Sequence, residues 1–83
     1  MNDYDHEKVD EVVLALMYLN LHDYARTWKS FDWDALDRLY EKGLISDPKS
    51  KAKSVVFSEE GLAESARLFQ HYFGGSSETQ DKV

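Results

Sequence analysis

Residues 39–45 read Leu-Tyr-Glu-Lys-Gly-Leu-Ile and residues 55–61 read Val-Val-Phe-Ser-Glu-Glu-Gly, and these two stretches decide the fold. In the first, Gly43 lies where the left-handed cap at the end of a helix favours glycine, and the leucine after it can fold back on that helix. In the second, β-branched and aromatic residues predict a strand, and Ser58 predicts the N-cap of a further helix. We therefore expect a helix, a strand pair and another helix in this order.

The strand pair is predicted to be a hairpin in which Leu44 and Ile45 pair with residues 55–57. The segment 46–54 between them contains Asp-Pro followed by lysine and serine, which is typical of a polar loop. A two-stranded hairpin is marginal on its own, so we expect it to pack on a helix.

Apolar residues at helical spacing predict three long helices, over 5–22, 33–42 and 59–73. Residues 23–30 fit either a short second helix or a bent continuation of the first, so the helix count is three or four. The inward faces of the last two long helices are predicted from their apolar stripes: Trp33, Leu36, Leu39 and Tyr40, then Leu62, Ala66, Phe69 and Phe73. Trp28 fits either the core or an exposed anchor.

Length and composition limit the class of protein. The chain has 83 residues, which predicts a single domain over 1–75 and a disordered tail over 76–83. Eleven residues are aromatic, which favours a folded chain. The absence of cysteine excludes disulfides and thiolate metal sites. No apolar run reaches the length of about 18 residues that a membrane span needs, and the first residues do not resemble a signal peptide, so a soluble cytoplasmic protein is expected.

The order of elements resembles the winged-helix class of helix-turn-helix domains over residues 31–73. Many bacterial regulators of that class have a lysine-glycine-leucine-isoleucine step after the recognition helix, then a wing, then a Ser/Thr-Glu-x-Gly start to the next helix. The resemblance implies an α+β, mainly helical, winged-helix-like fold, with three to four helices and a two-stranded β-hairpin wing. It also implies that duplex DNA is a ligand to consider.

A second resemblance covers almost the whole chain. Residues 28–34, Trp-Lys-Ser-Phe-Asp-Trp-Asp, with Asp-Arg-Leu at 37–39, are similar to a small bacterial family catalogued only as a domain of unknown function. This resemblance implies a fold and a bacterial cytoplasmic origin, and it implies no activity.

Charge is distributed unevenly along a chain of net charge −6. Residues 1–25 and 54–83 are acidic, and residues 26–53 carry a small positive excess. Because phosphate neutralisation supplies most non-specific affinity for DNA, the cations of this middle part are the candidate nucleic-acid contacts. The four acids of the central helix region, Asp32, Asp34, Asp37 and Glu41, oppose that interpretation. The candidate contacts are Lys29, Arg38, Lys42, Lys49, Lys51 and Lys53.

No catalytic, cofactor or metal site is predicted. His6, His22 and His71 do not have the spacing of a zinc motif, and His22 is expected at the end of the first helix. Ser54 and Ser58 lack the context of a nucleophile, and no glycine-rich phosphate loop is present. We therefore expect a protein that is not an enzyme, binds no evident small molecule and does not act at a membrane.

The leading hypothesis is a protein-interaction module. The first helix is apolar on more than one face, which is typical of a helix that is central to its domain or shared with a partner. The expected partner is a second copy of the chain or another protein, and the alternative is a DNA-binding regulator that uses the helix within 31–42 and the wing 46–54. The candidate interface residues are Val13, Leu14, Met17, Trp28, Leu68 and Tyr72.

Overall fold

A computed structural model describes residues 4–74, so the predicted tail 76–83 lies outside the described residues. The elements follow in the order α1 (His6–Leu19), β1 (Arg26–Trp28), α2 (Trp33–Glu41), β2 (Ser54–Val56) and α3 (Glu59–Phe73). The two strands form one antiparallel sheet. The predicted class, α+β and mainly helical, is confirmed, and the described residues contain three helices.

Helix α1 begins as predicted and ends earlier. The Asp5 carboxylate accepts the backbone N–H groups of Glu7 and Lys8, both at 3.1 Å, as an N-cap does. The helix ends at Leu19 rather than near residue 22. The predicted place of His22 in the last turn is therefore wrong: its backbone exchanges hydrogen bonds of 2.8 and 2.9 Å with Arg26 instead.

The segment 23–30 is neither of the two predicted alternatives, because it turns and then forms β1. Strand β1 pairs with β2 in the register Arg26↔Val56, Thr27↔Val55 and Trp28↔Ser54. The predicted hairpin with residues 44–45 was therefore wrong in its main partner. Of the predicted pairing between residues 44–45 and 55–57, the structure contains a single bridge, between Ile45 and Phe57.

Helix α2 has the predicted ends. The Asp32 carboxylate accepts the N–H of Ala35 at 3.1 Å. At the other end Gly43 has φ +78°, and its N–H donates to the Tyr40 carbonyl at 2.9 Å. The N–H of Leu44 donates to the Leu39 carbonyl at 3.1 Å, which completes a Schellman motif.

Ser58 joins the end of α2 to the start of α3. Its hydroxyl donates to the Gly43 carbonyl at 2.6 Å and accepts the N–H of Gly61 at 2.9 Å. Gly61 allows this approach, because a Cβ at that position would lie 1.8 Å from the Leu44 carbonyl oxygen. The serine cap predicted from the sequence is confirmed.

The buried faces of α2 and α3 differ from the predicted stripes. Trp33 is 54% exposed and Tyr40 is also exposed, so the predicted place of these two aromatic residues in the core is wrong. In α3 the buried residues are Gly61, Ser65 and Leu68, on the side of the helix that contacts the rest of the fold. The predicted stripe lies at the edge of that contact: Leu62, Ala66 and Phe69 are half-buried and Phe73 is exposed.

The core is a single cluster between the three helices and the inner face of the sheet. It contains eleven buried apolar side chains, which come from the three helices, from β2 and from the adjoining Ile45 and Phe57. Leu14, Met17, Leu36, Leu39 and Val55 are the largest apolar side chains that are fully buried, and β1 adds the buried Thr27. Within residues 4–74 there is no helix with the length and hydrophobicity of a membrane span.

Candidate functional site

The predicted DNA-contacting residue Arg38 is bound within the fold. Its guanidinium forms two parallel hydrogen bonds to the carboxylate of Asp10, Nε to Oδ2 at 2.7 Å and Nη2 to Oδ1 at 2.8 Å. Asp10 is 2% exposed, and this hydrogen-bonded carboxylate raises the pKa of Arg38. Arg38 therefore neutralises a buried charge, and its planar donor pair suits that role.

Three further predicted contacts are also engaged. Lys42 lies 3.7 Å from the Asp10 carboxylate, and Lys49 lies 3.4 Å from that of Asp37. The ammonium of Lys29 donates to the carbonyl oxygens of Pro48 at 2.6 Å and of Ser50 at 2.7 Å. Lys29 thereby holds the loop between α2 and β2 against the end of β1.

Lys51 and Lys53 are exposed on that loop and form no ion pair within the described residues. Of six predicted nucleic-acid contacts, the structure therefore leaves two without an intramolecular charge or hydrogen-bond partner for the side chain. Two surface cations are few for a protein that would bind duplex DNA by neutralising its phosphates.

The predicted protein-interface residues do not form one surface. Val13, Leu14, Met17 and Leu68 are all buried in the core of the chain itself. Their apolar character is accounted for by that core, so the interface assigned to them has no exposed surface in this fold. Tyr72 is half-buried, and Trp28 is 48% exposed.

The turn between α1 and β1 is the most unusual backbone of the described residues. Asp23 and Tyr24 both have positive φ, at 47° and 72°. The N–H of Ala25 donates to the Asp23 carbonyl at 2.8 Å, which makes a three-residue γ-turn centred on Tyr24. This form of γ-turn is rare and strained. It holds the Tyr24 side chain 96% exposed.

The sheet extends this exposed region. Arg26, Trp28 and Val56 share the outer face, since Arg26 and Trp28 alternate with the buried Thr27 and Val56 lies opposite Arg26. The Trp28 ring stacks on that of His22 at a centroid distance of 4.5 Å. The Arg26 guanidinium donates to the Ser54 hydroxyl at 2.8 Å. We call Tyr24, Arg26, Trp28 and Val56 the turn–strand surface.

A shallow cavity of about 180 Å³ lies between α1, α3 and the end of α2. It has a leucine floor formed by Leu14, Leu39, Leu44 and Leu68 and a rim that includes Glu7, Glu11 and Glu64. Two of the rim carboxylates have partners. Glu11 accepts a hydrogen bond from the Tyr72 hydroxyl at 2.5 Å, which raises the pKa of that phenol, and the Arg67 guanidinium lowers the pKa of Glu64. Among residues 4–74 no three side chains are grouped as a metal site.

Sequence reasoning missed the two features that organise the surface. The first is the ion pair between Asp10 and Arg38, which are 28 positions apart. Its only local signal was an aspartate at position 10 among the apolar residues of the first helix. The turn carries no glycine or asparagine, and Asp23, a residue type that tolerates positive φ, was the only signal for it in residues 21–26.

Comparisons with known proteins are consistent with the extent of this fold. The model of a family described as a domain of unknown function, DUF6429, matches residues 5–75. The uncharacterised protein y4hR of Sinorhizobium fredii (strain NBRC 101917 / NGR234) is 51% identical over 69 residues, which are 83% of this chain and 93% of that protein. The comparison with solved structures found no match.

Proposed function

Because the chain belongs to the DUF6429 family, a bacterial family whose function is unknown, we propose its activity from the site alone: a small non-enzymatic module that acts through protein–protein contacts. The partner is another protein or a second copy of the chain. The turn–strand surface is the contact for the other protein.

The strained turn at Tyr24 is the observation that carries this proposal. A positive φ costs a residue with a side chain roughly 1–2 kcal/mol. Aspartate tolerates this conformation, so of the two residues that adopt it here Tyr24 is the strained one. The fold gains no burial in return, since Tyr24 is almost fully exposed. Strained residues of this kind cluster at functional sites, where the strain is part of the mechanism.

The chemistry of the surface suits a protein partner. Tryptophan, tyrosine and arginine are the residues most enriched at the energetic centres of protein interfaces. Here one of each lies on a short rigid segment, whose conformation is fixed by the His22–Arg26 pairing and by the sheet. A partner would therefore order few side chains on binding, which lowers the entropic cost of the contact.

The test is capture of partners from a lysate of the source bacterium with three forms of the protein. The variant with Tyr24→Ser and Trp28→Ser removes two exposed aromatic side chains from the surface. The control, with Trp33→Ser and Tyr40→Ser, removes two exposed aromatic side chains from α2. We expect a protein that binds the wild type and the control to be lost from the first variant. Capture that is equal for both variants would contradict the proposal.

A DNA-binding regulator is the second candidate, and the exposed lysines of the loop favour it. Lys51 and Lys53 extend from a loop that Lys29 holds in place, next to helix α2. This arrangement supports a winged-helix-like interpretation in which α2 would be the reading helix and the loop the wing. Two features oppose it: β1 occupies the place of a second helix, and α2 presents acids and aromatic residues to solvent.

Retention on random duplex DNA at low salt distinguishes the two candidates. We expect no retention of the wild type. Binding that weakens steeply with salt and is lost when Lys49, Lys51 and Lys53 are all changed to Ala would replace the protein-contact proposal by the DNA-binding one.

A further inference from the structure

Helix α1 carries an apolar stripe that faces away from the core. Val12, Leu16 and Leu19 are spaced by four and three residues, so they lie on one face of the helix. Val12 and Leu16 are half-buried, and Leu19 is 63% exposed. The core residues Leu14 and Met17 of this helix lie on its opposite face.

Helix α3 carries a matching stripe, formed by Leu62, Ala66, Phe69 and Phe73. The Phe69 ring lies 5.7 Å from that of Phe73 and 5.6 Å from that of Tyr18, measured between centroids. The aromatic contact between Tyr18 and Phe69 joins this side of α3 to α1.

The two stripes lie on the same side of the α1–α3 pair. The leucine-floored cavity marks the other side, where Asp10 and Leu14 of α1 meet Glu64 of α3. At 100° per residue, Val12 lies roughly 160–200° around α1 from Asp10 and Leu14, and Phe69 lies roughly 140° around α3 from Glu64. Residues turned away from the cavity on both helices therefore share one two-helix face.

We propose that a second copy of the chain covers this face and forms a two-fold symmetric dimer. Two such faces, each with two helices, pack as a four-helix arrangement, and an apolar stripe is complementary to a second copy of itself. The proposal depends on the proposed function, that the chain acts through protein contacts, but it uses a different surface from the turn–strand surface.

Charge favours this face over the other faces of the chain for contact with a second copy. Each chain carries a net charge of −6, so two copies repel each other over most of their surfaces. All seven stripe residues are uncharged: Val12, Leu16, Leu19, Leu62, Ala66, Phe69 and Phe73. Contact here brings two acidic chains together through uncharged side chains.

The size of the face sets the strength of the dimer. Helices of 14 and 15 residues are about 21–22 Å long at about 1.5 Å per residue, and two side by side are about 20 Å wide. The face is thus roughly 400 Å² per copy, about half of the ~800 Å² per partner of a standard interface. A reversible, concentration-dependent dimer is expected.

Sedimentation equilibrium from low to high micromolar concentration tests the proposal. We expect the mass of the wild type to rise from monomer towards dimer. The variant with Leu19→Glu and Phe73→Glu, which changes two exposed positions, should stay monomeric. The control Ser50→Glu, which adds an acid in the exposed loop, should behave like the wild type.

A wild type that is monomeric at every concentration would overturn the dimer, and so would equal association of wild type and double variant. Association beyond two copies would also overturn it, because a two-fold interface closes at the dimer. The wild-type result decides even if the double variant fails to fold. A monomer would leave the turn–strand proposal standing, since the capture experiment tests that surface independently.

Discussion

The Asp10–Arg38 pair gives the prediction with the largest expected effect on stability. Changing Arg38 to Met leaves a carboxylate that is 2% exposed without its two hydrogen bonds. Removal of one partner of a buried ion pair costs about 3–5 kcal/mol. We expect the lower end, about 3 kcal/mol, because the Arg38 side chain is 25% exposed and Lys42 lies close enough to compensate in part.

This loss is large relative to the stability of a small domain. At roughly 0.05–0.15 kcal/mol per residue, a chain of 83 residues is stable by about 4–12 kcal/mol. A loss of about 3 kcal/mol lowers the melting temperature of such a domain by roughly 12–24 °C. Thermal and urea unfolding followed by circular dichroism measure both quantities.

Two further variants separate the buried charge from the substitution itself. Arg67→Met makes the same change in an exposed ion pair with Glu64, and little loss is expected. Asp10→Leu combined with Arg38→Met replaces the pair by apolar side chains and should recover most of the stability. The reasoning is refuted if Arg38→Met costs no more than Arg67→Met, or if the double variant is less stable than the single one.

Three other predictions follow from the geometry. Tyr24→Gly should stabilise the fold by about 0.5–1 kcal/mol in thermal unfolding, because the relief of strain at positive φ exceeds the added entropy of the unfolded chain. The same variant should lose partner capture. A destabilised variant would show that the turn is not strained. Gly61→Ala should cost about 3 kcal/mol in urea unfolding, since its Cβ would collide with the Leu44 carbonyl, and an unchanged midpoint would contradict the close contact. The hydrogen bond to Glu11 raises the pKa of Tyr72 in the folded protein. Tyr72 therefore stabilises the fold fully at pH values below the ordinary tyrosine pKa, and this contribution is lost as pH rises through the higher pKa of the folded protein. Tyr72→Phe should remove that pH-dependent loss in alkaline unfolding curves, and identical curves for both proteins would contradict the assignment.

The elements that were predicted correctly depend on neighbours in sequence. The caps of the three helices are set by Asp5, Asp32, Ser58 and Gly43, each of which satisfies backbone groups within four residues. Local chemistry of this kind is visible in a single sequence, and it fixed where all three helices begin.

The errors arose where distant parts of the chain decide the structure. Strand β1 has three residues and forms because β2, 28 positions later, pairs with it. The inward face of α3 is chosen by tertiary contacts, since Gly61 is required for the close approach to the Leu44 carbonyl, whereas hydrophobicity alone favoured the Phe69 side. The same cause explains why the predicted interface residues Val13, Leu14 and Met17 are buried: apolar residues of α1 lie on two faces, and periodicity does not tell which face the rest of the chain covers.

We propose that the turn–strand surface, rather than the lysine loop, contacts the partner. A photo-crosslinking phenylalanine analogue in place of Tyr24 tests it most directly in living cells, with the same analogue in place of the exposed Lys51 as the comparison. We predict a discrete protein adduct from position 24 and none from position 51. An adduct with nucleic acid, or a protein adduct from position 51 with none from position 24, would contradict the claim.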